Sequence, residues 1–387
     1  MLLSRRAVLG ALGVLSVTGN VPWTARPGPV RLSPSPGGQQ KLAAQPNRKG
    51  VSPQMNASNM SERRPGPRPA VLGTCTFSPY PLRGPDHRDA LLREGLVLLD
   101  AMAREADDQG EALDLVVWPE YFAQGEQGTL AEKAEAVDGR TVTAVAERTR
   151  RLGTNAAVPL ALKEDGEFFN ALVFIDRDGE HVGTYRKVNP VPGESGLCEG
   201  GVTPGREVPV FDLDIGRVGA QTCFDAYFED AWRALGQAGA ELVVFPSAMP
   251  GVMGLKTHAY TNQYYVLAST WEVPTVIVDP VGQEVARTHE RNQVLVAKVD
   301  LDYSVYSNHR VDFVTELLAK YDGRIHMDWH PEELMWVVTS TDPDLPVNEF
   351  MKREQLETTR CWLRRAGAAL AKIREEQSAP RTVPGRY

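Results

Sequence analysis

From Ala70 onward the chain alternates short apolar runs with segments of helical spacing, and this alternation restricts the fold more than any other feature. Runs of strand type recur at Ala70–Phe77, Leu113–Trp118, Asn155–Leu162, Ala171–Ile175, Val208–Leu213, Arg217–Thr222, Leu242–Phe245, Tyr264–Ser269, Pro274–Val278 and Gln293–Val299. Between some of them the period changes. Arg88–Glu105 places Leu91, Leu92, Leu96, Leu99, Met102 and Ala103 at helical spacing, and Arg140–Arg151 and Asp230–Gly239 read the same way. Alternating strands and helices predict a layered α/β domain. Asp176-Arg177-Asp178-Gly179 and Asp279-Pro280-Val281-Gly282 are turn sequences between strands. Past Asp302 the texture shifts: Asp312–Gln377 reads as more helical. Leu356, Trp362, Leu363, Leu370 and Ile373 make Glu354–Glu376 amphipathic, suited to pack on the body or on a second subunit.

What precedes Ala70 cannot form a core. Arg5 and Arg6, followed by an apolar run through Val17, make residues 1–25 read as an export signal of twin-arginine type. An ordinary secretory signal and a lone membrane anchor are the alternatives. Residues 26–69 read as a Pro/Gly-rich disordered linker: ten prolines and five glycines lie between Pro22 and Pro69, with almost no apolar clusters. The main folded domain is then expected at 70–302 and a partly helical C-terminal extension at 303–387. The chain of 387 residues has a net charge of −8, split unevenly. Residues 1–68 carry ten basic residues and one acid, whereas the rest carries 32 basic and 49 acidic residues. An acidic folded part argues against a nucleic-acid partner. Cys75, Cys198, Cys223 and Cys361 lie far apart, so neither a disulfide scaffold nor a cysteine zinc site is expected.

Three strand ends carry chemistry. Val116-Val117-Trp118-Pro119-Glu120 ends in an acid, Thr184-Tyr185-Arg186-Lys187 in two cations, and Val218-Gly219-Ala220-Gln221-Thr222-Cys223 in a thiol. In open α/β architectures ligands bind where strands give way to loops. A carboxylate to take a proton, an ammonium to hold an oxyanion and a thiolate to attack are the parts of a cysteine hydrolase.

These segments resemble the three signature motifs of the nitrilase, or carbon–nitrogen hydrolase, superfamily. Trp118-Pro119-Glu120 resembles the first, Tyr185-Arg186-Lys187-Val188-Asn189 the second and Thr222-Cys223-Phe224-Asp225 the third. They stand in family order, and Glu241–Ala248 looks like the strand that follows the nucleophile. The resemblance covers about Ala70 to Asp302. It implies a four-layer α-β-β-α sandwich of the nitrilase type, with Glu120 as general base, Lys187 as transition-state stabiliser and Cys223 as nucleophile. It further implies that the Phe224 N–H completes the oxyanion hole and that a second glutamate stands after the lysine, Glu199 being favoured over Glu194.

The resemblance implies no metal and no organic cofactor, a small-molecule amide or N-carbamoyl substrate, and a homodimer or larger homo-oligomer. Asn189 stands where the family usually has His, and Tyr227 where it usually has Arg. With Phe224-Asp225, these departures look nearer to the pantetheinase and biotinidase branch and favour amides over nitriles. Tyr121, Tyr227 and Met249 are expected pocket walls, and His258, Tyr260 and Tyr264 are expected to line or support the pocket. Three alternatives stand beside this reading: a non-catalytic binding relative, an acyltransferase, and a Cys223–His258 hydrolase. His326 and His330, four apart, would share a face if helical, but a third metal ligand is missing. Cys75, Cys198 and Cys361 read as reduced bystanders, with a place near the site as the alternative for Cys198, beside Glu199.

Overall fold

The computed structural model describes residues 66–80, 84, 86–125, 128–193, 196–290, 293–308 and 310–378. The expected export signal at 1–25, nearly all of the linker and Glu194 lie outside them. Two six-stranded sheets form the body. One contains β1 (Pro69–Cys75), β2 (Leu115–Val117), β3 (Asn155–Glu164), β4 (Glu167–Ile175) and β5 (His181–Arg186). The other contains β6 (Val210–Leu213), β7 (Gly216–Ala220), β8 (Leu242–Ser247), β9 (Tyr265–Thr270), β10 (Val276–Val278) and β11 (Glu284–Arg287). A further strand, β12 (Val294–Asp300), returns to pair antiparallel with β1. The strand orders are β12-β1-β2-β3-β4-β5 and β11-β10-β9-β8-β7-β6.

Successive side chains of a strand face opposite ways, and here both faces are apolar. Ala70, Leu72, Leu115, Val117, Leu172 and Phe174 of one sheet pack against Val218, Leu242, Val244 and Leu267 of the other. The alternate residues Val71, Val116, Val158 and Val173 face α1 (His87–Asp108) and, beyond the short α2 (Leu130–Lys133), α3 (Arg140–Leu152). Val243, Phe245, Val266 and Val278 of the second sheet face α4 (Glu229–Gln237) and α5 (Val252–Asn262). The result is the four-layer α-β-β-α sandwich. Asp176 makes the turn between β4 and β5 by accepting the N–H groups of Asp178 and Glu180 at 3.0 and 2.8 Å. Asp279 does the same between β10 and β11 for Val281 and Gln283, at 2.9 and 2.8 Å.

Two boundaries differ from expectation. The ordered body begins before Ala70. Arg68 forks onto the Glu241 carboxylate at 2.6 and 3.0 Å, its N–H reaches Asp300 Oδ1 at 2.9 Å, and Pro69 opens β1. The extension, expected to be partly helical, also carries a sheet. β13 (Tyr303–Ser307), β14 (Ile325–His330) and β15 (Met335–Ser340) pair antiparallel in the order β13-β15-β14. The β-branched and aromatic run Met335-Trp336-Val337-Val338-Thr339 drives this pairing, and Trp336 lies 4.5 Å from Trp329 across the strands. Around it lie α6 (Val311–Ala319) and α7 (Val347–Arg353), with Val314, Leu317 and Phe350 in their shared core. The amphipathic stretch from Glu354 is not one helix. Leu356 packs into that core, and α8 (Thr359–Ser378) starts after it. Trp362, Leu363, Leu370 and Ile373 of α8 are exposed. No helix of the described residues is long and apolar enough to cross a membrane.

The Arg68–Glu241 fork is partly buried, so losing the guanidinium strands a carboxylate. A chain starting at Ala70 should unfold about 1–3 kcal/mol more easily than one starting at Gly66. Urea unfolding of the two chains and of Arg68→Ala tests this, and equal midpoints would refute it.

Candidate active site

β2, β5, β7 and β8 run in one direction, because β2 and β3 are parallel, β4 reverses and β5 reverses again. Their C-terminal ends therefore meet at one edge of the sandwich. Glu120 follows β2, Lys187 follows β5 immediately, Cys223 follows β7 and Ala248 follows β8. The antiparallel β4 brings Asn170, near its start, to the same edge.

There the charges interlock. Lys187 is 1% exposed and Glu120 4%. The Lys187 ammonium donates to Glu120 Oε1 at 2.9 Å and to Glu199 Oε1 at 2.7 Å. Asn170 Nδ2 repeats the bridge, reaching Glu120 Oε1 at 2.7 Å and Glu199 Oε2 at 3.0 Å. Glu199 also accepts the Val191 N–H at 3.0 Å and the Tyr121 hydroxyl at 3.2 Å. Glu120 Oε2 accepts the Ala248 N–H at 3.1 Å. Ser247 and Ala248 also lie beside the Cys223 sulfur and favour its thiolate, so the general-base candidate and the thiol both stand at the end of β8.

Burial pushes the Cys223 thiol up to about 12, the Glu120 charge adds to this, and Lys187 opposes it. The resting sulfur is therefore protonated at neutral pH. Burial works against the Lys187 ammonium, but Glu120, Cys223 and Glu199 outweigh it and hold its pKa above the usual lysine value. Burial also opposes the Glu199 charge, and Lys187 overcomes it to hold that carboxyl below its ordinary value. Tyr121 is pushed up by burial and by the two glutamates, so its hydroxyl stays a donor.

A second set of bonds holds the nucleophile turn. Cys223 sits at φ 45°, and Tyr121 and Glu199 at 54° and 43°, so three of the site's residues adopt the left-handed backbone that side chains rarely take. Asp225, fully buried, accepts the Tyr185 hydroxyl at 2.7 Å, the Thr222 N–H at 2.9 Å, the Asn189 N–H at 2.8 Å and Asn189 Nδ2 at 3.0 Å. One carboxylate thereby ties the second motif to the third, and Asn189, the departure from the usual His, is part of that tie. Trp271 Nε1 fixes the other wall by donating to the Glu120 carbonyl at 2.7 Å.

Other expected residues divide. Tyr121 belongs to the charge cluster. Phe224 is half-buried, with ring centroids 5.4 Å from both Tyr227 and Phe228. Tyr227 is 62% exposed, and its hydroxyl meets the Met249 sulfur at 3.8 Å, so both stand beside the nucleophile turn at the surface. His258 is no partner for the thiol. Its ring stacks on Trp232 at 4.2 Å, and its Nε2 meets the Ala226 carbonyl at 2.8 Å. Tyr264 is core, bonded to the Trp232 carbonyl at 3.2 Å, and Tyr260 is exposed. His326 and His330 lie on a strand, not a helix, and face Asp328 and Asp279 respectively. Among the described residues no group of three or more His, Cys, Asp or Glu could hold a metal ion. Cys198 is half-buried beside Glu199, Cys75 is buried and Cys361 exposed.

Sequence reasoning missed Asn170, Tyr185, Ser247 and Trp271, and gave Asp225 no role. Asn170 did leave a signal, as the lone polar residue in Phe168–Ile175.

The carbon–nitrogen hydrolase family matches residues 82–305, and the chain belongs to that family. The human deaminated glutathione amidase is 32% identical over 161 residues, which are 35% of this chain and 49% of that relative. The chain thus spans about half the length of that relative. The N-carbamoylputrescine amidase of Arabidopsis thaliana is 25% identical over 270 residues, 58% of this chain and 90% of that relative. The crystal structure of a carbon–nitrogen hydrolase from Helicobacter pylori G27 shares the fold. Its TM-score is 0.53 at 18% identity, covering 66% of this chain and 95% of that one.

If Glu120 faces the sulfur as described, Glu120→Gln removes a negative charge and leaves Lys187 to favour the thiolate. The ultraviolet thiolate signal of Cys223, taken as the difference from Cys223→Ala, should be absent to about pH 9 in the unaltered protein. It should appear at lower pH in Glu120→Gln. An unmoved or upward-shifted titration would contradict the arrangement.

Proposed function

We propose that the protein is a cysteine-dependent hydrolase of a small, non-peptide C–N bond, an amide or an N-carbamoyl compound. The observation that carries this reading is the end of β8, where the Ala248 N–H donates to Glu120 Oε2 at 3.1 Å beside the Cys223 sulfur and next to the buried Lys187 ammonium. The amidase names of the relatives support the choice of bond.

In this reading the Cys223 sulfur attacks the carbonyl carbon while its proton passes to Glu120 Oε2, the oxygen with only one donor. A C–S bond forms, and the carbonyl electrons move to the oxygen, stabilised by Lys187 and the Phe224 N–H. Glu120 then protonates the nitrogen as the C–N bond breaks, releasing ammonia or an amine. Water, deprotonated by Glu120, attacks the thioester; the C–O bond forms and the C–S bond breaks, returning the proton to sulfur. A thiol that rests protonated suits this cycle, because the nucleophile is generated only when Glu120 accepts its proton. Glu199 holds Lys187 and does not itself move a proton. Export by the N-terminal segment and assembly into a homodimer or larger homo-oligomer are part of the same proposal.

The test is ammonia and amine release from a chain starting at Gly66, offered aliphatic amides, N-carbamoyl amino acids, pantetheine, biotin amides and nitriles. Release from an amide or carbamoyl compound, abolished in Cys223→Ala with loss of the thioester mass on that residue, is expected. Turnover of nitriles alone, or release that survives in Cys223→Ala, would overturn the reading. Lys187→Met should lower turnover at least 100-fold, on the order of one lost oxyanion donor, while binding changes far less. Size-exclusion chromatography with light scattering reads the assembly state, and a monomer would remove that part.

A further inference from the structure

Asn170 poses a problem of physical chemistry. It is the lone polar residue in the β4 run Phe168–Ile175 and is 1% exposed. Its amide oxygen is buried with no hydrogen-bond partner. Turning the amide over would not help, because the oxygen would then face the Glu120 and Glu199 carboxylates that Nδ2 now serves at 2.7 and 3.0 Å. A buried polar group left half-satisfied is destabilising, and an apolar residue of similar size would suit the strand better. The benefit of Asn170 therefore falls on the carboxylates.

Those carboxylates have one cation between them. Lys187 supplies a single charge to both, so two buried carboxylates share one ammonium. The groups facing Glu120 are Lys187 at the end of β5, Glu199 in the loop beyond it, Cys223 after β7 and the neighbouring Tyr121 hydroxyl. Asn170 gives each carboxylate one further donor without adding a charge. It also fills Glu120 Oε1, which then holds two donors, leaving Oε2 with the Ala248 N–H alone on the side of the sulfur.

We propose that Asn170 is a positioning residue for the thiol chemistry: by bridging Glu120 and Glu199 it fixes the Glu120 carboxylate and turns Oε2 toward Cys223. This inference rests on the reading of Glu120 as the base. The experiment needs no known substrate. Cys223 is alkylated with iodoacetamide across a range of pH, and the modified peptide is counted by mass spectrometry. The unaltered protein should lose reactivity on the acid side, and Glu120→Gln should lack that limb.

Asn170→Leu should move the acid limb to higher pH by on the order of one unit, about a tenfold loss of rate at a fixed pH below it. Asn170→Asp, which sets a third carboxyl against the two, should move it further. An acid limb that stays in place in Asn170→Leu, or a rate lowered equally at every pH together with a lower melting temperature, would make Asn170 merely structural. If the limb vanishes in Glu120→Gln yet does not move in either Asn170 variant, only the Asn170 role falls. If the limb survives in Glu120→Gln, the assignment of the base falls and the Asn170 role falls with it.

Discussion

The site depends on one buried ammonium held between two carboxylates. Lys187 has almost no contact with water, and its ammonium donates to both Glu120 and Glu199. A cation so placed is tolerable only with both partners present. Removing one side of such a pair typically costs roughly 3–5 kcal/mol, because the remaining charge stays buried. The same constraint makes the site useful. Lys187 and Glu120 cannot drift apart, so the carboxylate and the ammonium both keep fixed places beside the Cys223 sulfur. A solvated lysine would supply far less, since water screens the field that burial preserves.

The fold provides the confinement. Two sheets buried on both faces leave no freedom for the strand ends, and four strands running in one direction deliver their last residues to one edge. Asp225 then fixes the Cys223 turn by accepting four hydrogen bonds from residues 185 to 222. Three left-handed residues in one small region, Tyr121, Glu199 and Cys223, are strained backbone that a looser frame would relax. The sheet of the C-terminal extension is joined to this frame away from the charge cluster. The Tyr303 hydroxyl meets the carbonyls of Glu241 and Gln263 at 3.2 and 2.9 Å, and Arg360 reaches that of Asn262 at 2.7 Å.

The body was largely legible in the chain. Alternation marks a strand buried on one face, but these strands are buried on both, so continuous apolar runs such as Leu242–Phe245 announced them instead. Helices α1, α3 and α4 were legible because their apolar residues recur at helical spacing. The extension was misread where strands are short and interrupted by charge. Ile325-His326-Met327-Asp328-Trp329-His330 pairs as a strand only because Met335–Ser340 lies beside it. The linker boundary failed at Arg68 for a similar reason. Its partners, Glu241 and Asp300, are 173 and 232 residues away.

By itself the sequence singled out the residues of the candidate site. An acid, a cation and a thiol at the ends of apolar runs, in the order and spacing of a known family, pointed to Glu120, Lys187 and Cys223 without coordinates. Only the tertiary structure decided how their charges are shared: that Asn170 stands between the carboxylates, that the Ala248 N–H holds Glu120 Oε2, that Asp225 clamps the turn and that His258 belongs to the core. The reason is physical. Residue type and local spacing fix what a side chain can donate or accept. Which partner receives it depends on strands distant in sequence being brought within 3 Å, where burial turns an ordinary hydrogen bond into a decisive one.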